Sequence, residues 1–171
     1  KVLFIGAFIA ATLAVPAVAG PAPDSGSVVL RCGALIDGVS AREMGPTVVV
    51  IERGRITAVG PNARVPDGVR AVDLSGYTCL PGLIDMHTHI TERPEDTADL
   101  RVYLRRSPAE QFALAREFAA ATLLAGFTTV RNVGVYQAWG DRTLRDAINR
   151  GEVAGPRMQV VGYYLTIPGG G

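Results

Sequence analysis

Lysine is almost absent: of the 17 basic residues in this 171-residue chain, Lys1 is the only lysine. With 16 acidic residues the net charge is +1, which gives no electrostatic basis for binding nucleic acid or an acidic membrane surface. Histidine is as scarce, with only His87 and His89. There are two cysteines, Cys32 and Cys79, and no CxxC pair, so no thiolate metal site is expected. Both fall in segments that read as strands, where a small buried free thiol is the expectation; a Cys32–Cys79 disulfide requires export to an oxidising compartment. No apolar run reaches the roughly 20 residues of a membrane-spanning helix.

What is present begins with an export pattern. Lys1 precedes an apolar run from Val2 to Val15, and Ala17-Val18-Ala19 fits a small-residue cleavage site. Residues 1–19 therefore read as a secretory signal peptide, with an uncleaved membrane anchor as the alternative. Export makes the mature protein periplasmic or secreted and free of the membrane. Residues 20–27 (GPAPDSGS) read as a linker.

Residues 28–79 alternate short β-branched runs with turn signals, the pattern of a small β-sandwich. Strands are expected near Val28–Arg31, Val48–Ile51, Ile56–Val59, Val69–Leu74 and Tyr77–Leu80. Turns are expected at Asp37-Gly38, Arg53-Gly54 and Ser75-Gly76. No chemistry is apparent there.

Residues 80–171 change character. Pro81-Gly82-Leu83-Ile84-Asp85-Met86-His87-Thr88-His89-Ile90 reads as a buried strand, apolar on both faces, ending in two histidines. Side chains alternate along a strand, so His87 and His89 share a face with Asp85 below them. Two neutral imidazoles so placed can hold one divalent metal ion. The charged stretch 91–106 reads as a solvated loop or one wall of a substrate site. Ser107-Pro108-Ala109-Glu110 announces a helix through a capping box, and Gly126 ends it. Phe127–Arg131 is the next strand. A second helix is expected to be capped by Asp141, with Trp139 before it as packing or substrate wall. Met158–Leu165 reads as the third strand, and Pro168–Gly171, at its end, as a candidate active-site loop.

PGLIDMHTHI resembles the motif of the amidohydrolase superfamily, metal-dependent hydrolases on a (β/α)8 TIM-type barrel. The stretches Gly126–Arg131 and Gly155–Met158 are similar to its imidazolonepropionase-like and prolidase-like branch. The resemblance implies an α/β fold in which residues 80–171 supply the first βα units of the barrel, preceded by a sandwich completed by strands from the far C-terminus. It implies that His87 and His89 are metal ligands for one or two ions, with zinc the expected metal. A carbamylated lysine or a carboxylate, two later histidines and an aspartate would complete the site.

None of those later groups can be assigned here. Lys1 lies in the export signal, and Asp85 is expected to orient the site by hydrogen bonding rather than to ligate. The branch usually carries Asp after TTVR; this chain has Asn132, which keeps an acceptor and loses the charge. Only 82 residues follow His89, against about 250 in a complete barrel. The chain is thus expected to be the front part of a longer protein and inactive alone.

The implied activity of the whole protein is hydrolysis of an amide or related C–N bond in a small molecule or dipeptide. Export favours a dipeptidase over an imidazolonepropionase-like hydrolase of a cyclic amide. A catalytically inert scaffold that binds without turnover is the alternative from another class. An oligomer is compatible with either.

Overall fold

The computed structural model describes residues 26–137, 139–165 and 167–168. The expected signal peptide, most of the linker and Gly169–Gly171 of the terminal loop lie outside them. The chain divides into two compact units between Cys79 and Leu80. Among the described residues no helix is long and apolar enough to cross a membrane.

The first unit is one four-stranded sheet in the order β3-β2-β1-β4, built from β1 (Ser27–Leu35), β2 (Thr47–Glu52), β3 (Arg55–Gly60) and β4 (Arg70–Cys79). β1–β2 and β2–β3 pair antiparallel, and β1–β4 parallel. Arg53 and Gly54, both at positive φ, form the two-residue hairpin between β2 and β3 that the sequence suggested. Asp37 accepts the backbone N–H groups of Val39 and Ser40 at 2.9 and 2.7 Å, making the expected turn. The second layer of the expected sandwich is not among the described residues, and Ile56 and Val59 of β3 stand exposed.

Two expectations are corrected in this unit. Ser75-Gly76 is not a turn: β4 runs through it, and the β1 register slips between Cys32 and Ala34 as a bulge. Asp73 accepts the Ser75 N–H at 2.9 Å, and a Cβ at Gly33 would collide with the Ser75 carbonyl, so only glycine admits the bulge. The cysteines are not free thiols. Cys32 and Cys79 form a disulfide across β1 and β4, with Cα atoms 5.8 Å apart, inside the small core that includes Leu35 and Val49.

The second unit is a βαβαβ run: β5 (Leu83–Thr88), α1 (Val102–Arg105), α2 (Pro108–Leu124), β6 (Phe127–Asn132), α3 (Gly140–Asn149) and β7 (Arg157–Val160). The three strands are parallel in the order β5-β6-β7. Val130 of β6 is buried between Ala115 and Ala119 of α2 and Leu144 and Ala147 of α3. α2 forms as its sequence dictates, with Ser107 and Glu110 making a full capping box and Gly126 following at φ 94°.

Three further expectations are corrected here. β5 is not covered on both sides: it pairs only with β6, and Ile84 and Met86 are 62% and 46% exposed because β5 is the sheet's edge among the described residues. β7 stops at Val160, where Gly162 at φ 78° turns the chain away before Leu165. Asp141 does not cap α3. Trp139 occupies that position, and the buried Asp141 instead accepts the Gly162 N–H at 3.1 Å, tying the end of β7 to α3.

The charged stretch 91–106 is folded, keeps most of its charged side chains in solvent and, through Glu92, Arg93, Pro94 and Thr97, forms one wall of a cleft. It contains a 3₁₀ turn (Pro94–Ala98) and α1, and it is pinned by Arg106. The guanidinium donates to both Asp96 carboxylate oxygens at 2.7 and 3.0 Å and to Gln111 Oε1 at 2.9 Å. Gln111 in turn donates to the Thr91 carbonyl.

Candidate metal centre

β5 runs parallel to β6, and the two histidines stand where it ends, the strand end at which α/β folds assemble ligand sites. The peptide that carries them is tied down on several sides. Asp85 Oδ1 accepts the His87 backbone N–H at 2.9 Å. Arg131 Nε donates to the Met86 carbonyl at 2.8 Å, and the Thr88 carbonyl accepts the Val133 N–H at 3.0 Å. Fully buried Asn132 accepts the Ile90 N–H at 2.9 Å through Oδ1 and donates to the Gly134 carbonyl at 3.0 Å through Nδ2. Asp85 thus acts on the backbone of His87. Asn132 uses a donor and an acceptor at once, which a carboxylate could not do.

The imidazoles of His87 and His89 lie edge to face with centroids 5.5 Å apart. Two imidazoles sharing one ion at 2.0–2.1 Å and a tetrahedral angle would have centroids roughly 5 Å apart. Burial, and secondarily the neighbouring His87, lower the His89 pKa, which favours the neutral ring a metal requires. The donor chemistry and spacing therefore fit two ligands of a divalent ion. Among the described residues no group of three or more His, Cys, Asp or Glu side chains could hold one, so this pair is an incomplete set.

The histidines open onto a cleft of about 990 Å³. Asp85, Glu92, Tyr136 and Tyr164 line it near the rings, and Phe118, Ala121 and Thr122 of α2 line its apolar side. Trp139 is not among the lining residues. It meets Tyr163 edge-on at 5.8 Å, which is packing.

Two residues are not singled out by the sequence: Tyr164, which reads as part of the third strand, and Glu92, which reads only as one of the charged residues of the stretch 91–106. Tyr164 Oη lies 2.7 Å from His89 Nδ1. Glu92, half-buried beside it, accepts the Tyr136 N–H at 3.1 Å, and burial pushes its carboxyl up to about 7. Burial, then the charge of Glu92, also raises the Tyr164 hydroxyl above the usual tyrosine range. The only available signal was positional: Tyr164 follows the end of a parallel strand and Glu92 comes three residues after His89.

A family model described as "Amidohydrolase family" matches residues 78–169. Among curated proteins, a dihydroorotase of Mycobacterium tuberculosis is 33% identical over 98 residues, 56% of this chain and 19% of that protein. An imidazolonepropionase of Cupriavidus necator is 30% identical over 107 residues, 61% of this chain and 26% of that protein. Among solved structures, a Xaa-Pro dipeptidase with methionine in its active site has a TM-score of 0.72 at 33% identity, covering 84% of this chain and 35% of that one. A prolidase complexed with N-methylphosphonate-L-proline has a TM-score of 0.73 at 30% identity, covering 84% and 34%. The chain thus spans about a quarter or less of these curated relatives and about a third of the structures.

Proposed function

This chain belongs to the amidohydrolase family, and from that premise we propose that the whole protein is a metal-dependent, dipeptidase-like hydrolase of an amide or related C–N bond. The observation that carries the proposal is the His87–His89 pair, two imidazoles at metal-sharing separation on a clamped parallel strand end. Likeness to a Xaa-Pro dipeptidase and a prolidase supports a dipeptide substrate. The Cys32–Cys79 disulfide supports an exported protein, since such bonds persist in oxidising compartments. A cleaved signal peptide at residues 1–19 belongs to the same reading.

His87 and His89 would hold the ion, with zinc the natural choice for imidazole donors. Bound there, a divalent ion supplies Lewis acidity that ionises water near neutral pH and polarises a scissile carbonyl. The chain's own contribution is to fix the two rings. Asp85 holds the His87 backbone, and Asn132 holds the backbone immediately after His89. The cleft beside the rings offers an apolar wall from α2 and polar groups near Glu92. The relative named imidazolonepropionase supports a second reading, hydrolysis of a cyclic amide.

The test is metal content and turnover of the whole protein. Bound zinc, hydrolysis of a dipeptide panel that includes Xaa-Pro, and loss of both in His87→Ala and His89→Ala support the proposal. Turnover of cyclic amides alone selects the second reading. A folded protein that takes up no metal, is inert on every substrate and is unchanged by those substitutions is a scaffold, and the hydrolase reading falls.

A further inference from the structure

A histidine can bind a metal through either ring nitrogen, and the hydrogen bond at the other one decides which. Tyr164 Oη stands 2.7 Å from Nδ1 of His89. Several contacts fix the tyrosine. Its ring packs on Tyr136 at 4.9 Å between centroids, and Tyr136 stacks on Tyr103 at 4.7 Å. The preceding residue, Tyr163, bridges to Val135, and Gly162 is held by Asp141. Gly134 sits at φ 136°, and any Cβ there would collide with the Tyr164 ring, so glycine leaves the space the tyrosine fills. Tyr136 N–H donates to the Glu92 carboxyl at 3.1 Å, and both residues line the same cleft as Tyr164.

We propose that Tyr164 is a positioning residue for the metal centre: its hydroxyl accepts from Nδ1–H of His89 and so leaves Nε2 of His89 as the ligating nitrogen. The inference rests on the reading of His89 as a metal ligand. It goes further by fixing the tautomer and by adding a tyrosine from the loop after β7.

The experiment uses the whole protein, zinc as the probe and Tyr164→Phe as the variant, which keeps the ring stack and removes only the hydroxyl. Zinc affinity is read by chelator competition, and the His89 tautomer by ¹⁵N NMR of the histidine rings. The expected result is zinc affinity weaker by about 10- to 100-fold, a mixed or altered His89 tautomer, and an unchanged melting temperature without metal. Gly134→Ala, which displaces the same ring, is expected to weaken zinc in the same direction, while Tyr163→Phe leaves it unchanged. Unaltered zinc affinity and tautomer in Tyr164→Phe overturn the inference. An unaltered protein that takes up no zinc overturns it together with the hydrolase reading. Zinc binding that depends on Tyr164, in a protein that hydrolyses nothing, supports the inference and removes only the hydrolase reading.

Discussion

Asn132 at the end of β6 accepts the backbone N–H of Ile90, the residue after His89, at 2.9 Å across 42 positions of sequence. The same amide donates to Gly134 O at 3.0 Å, so one fully buried side chain joins the histidine-bearing strand end to the glycine that admits Tyr164.

Asn132→Asp is therefore expected to destabilise the whole protein. The carboxylate keeps the bond to Ile90 but faces the Gly134 carbonyl without a proton to give, at a cost of about 2–3 kcal/mol. Protonation restores the donor, so the penalty is expected to shrink as pH falls. Melting temperatures of both proteins at pH 5 and pH 8 check this; an equal gap at the two pH values would contradict the stated cause.

Arg106→Ala is expected to be more damaging than any exposed charge removal in the chain. Asp96 and Arg106 are 9% and 15% exposed as a pair, and Arg106, by hydrogen bonding and charge, is the main group holding the Asp96 carboxyl below its ordinary range. Stranding a buried carboxylate costs about 3–5 kcal/mol. Arg101→Ala, whose pair with Asp99 is largely exposed, serves as the comparison and is expected to change stability little. Denaturant midpoints of the two variants give the contrast.

What the sequence disclosed follows the range of the interactions concerned. The capping box at Ser107 and Glu110, the hairpin at Arg53-Gly54 and the stop at Gly126 are set within a few residues, and each forms as read. The alternation that puts His87 and His89 together is also local. Ser75-Gly76 misled because the same residue types that make turns also make bulges, and only the neighbouring strand decides between them. Asp141 has the right type and position for a cap, yet its partner is Gly162, 21 residues on. Tyr164, Glu92 and the role of Asn132 depend on contacts between loops that sequence spacing does not reveal. The exposed face of β5 was misjudged because apolar residues on both sides of a strand say that something covers it, not which part of a chain does.

The disulfide bears a separate expectation for the first unit. Cys32 and Cys79 are 47 positions apart, and closing a loop of that length restricts the unfolded chain by about 4 kcal/mol in the chain-entropy model. Replacing both cysteines by serine is expected to lower the stability of this unit by up to about that amount while leaving zinc binding by the second unit unaltered. Unfolding followed under oxidising and reducing conditions, with the double variant insensitive to the reductant, tests the assignment.

Glu92 should leave its mark on the pH dependence of stability in the metal-free protein. Burial pushes its carboxyl up to about 7, from an ordinary value of 4.5 that the unfolded chain retains. Between those values the native state holds a proton that the unfolded state has released, so stability falls as pH rises through the window. Because the side chain is only half-buried, solvent screening reduces the effect to roughly 1–2 kcal/mol. His89 acts in the opposite sense: its lowered pKa makes the unfolded state the better proton binder below about pH 6.5, so its contribution grows with pH. The slope of the unaltered protein is the sum of the two, and the diagnostic quantity is its difference from Glu92→Gln, which keeps the shape and does not titrate. That difference is expected to move in favour of Glu92→Gln from pH 5 to pH 8 and then level off. A difference that is flat across the window would mean that Glu92 ionises normally beside Tyr164, and so is not held as the structure has it.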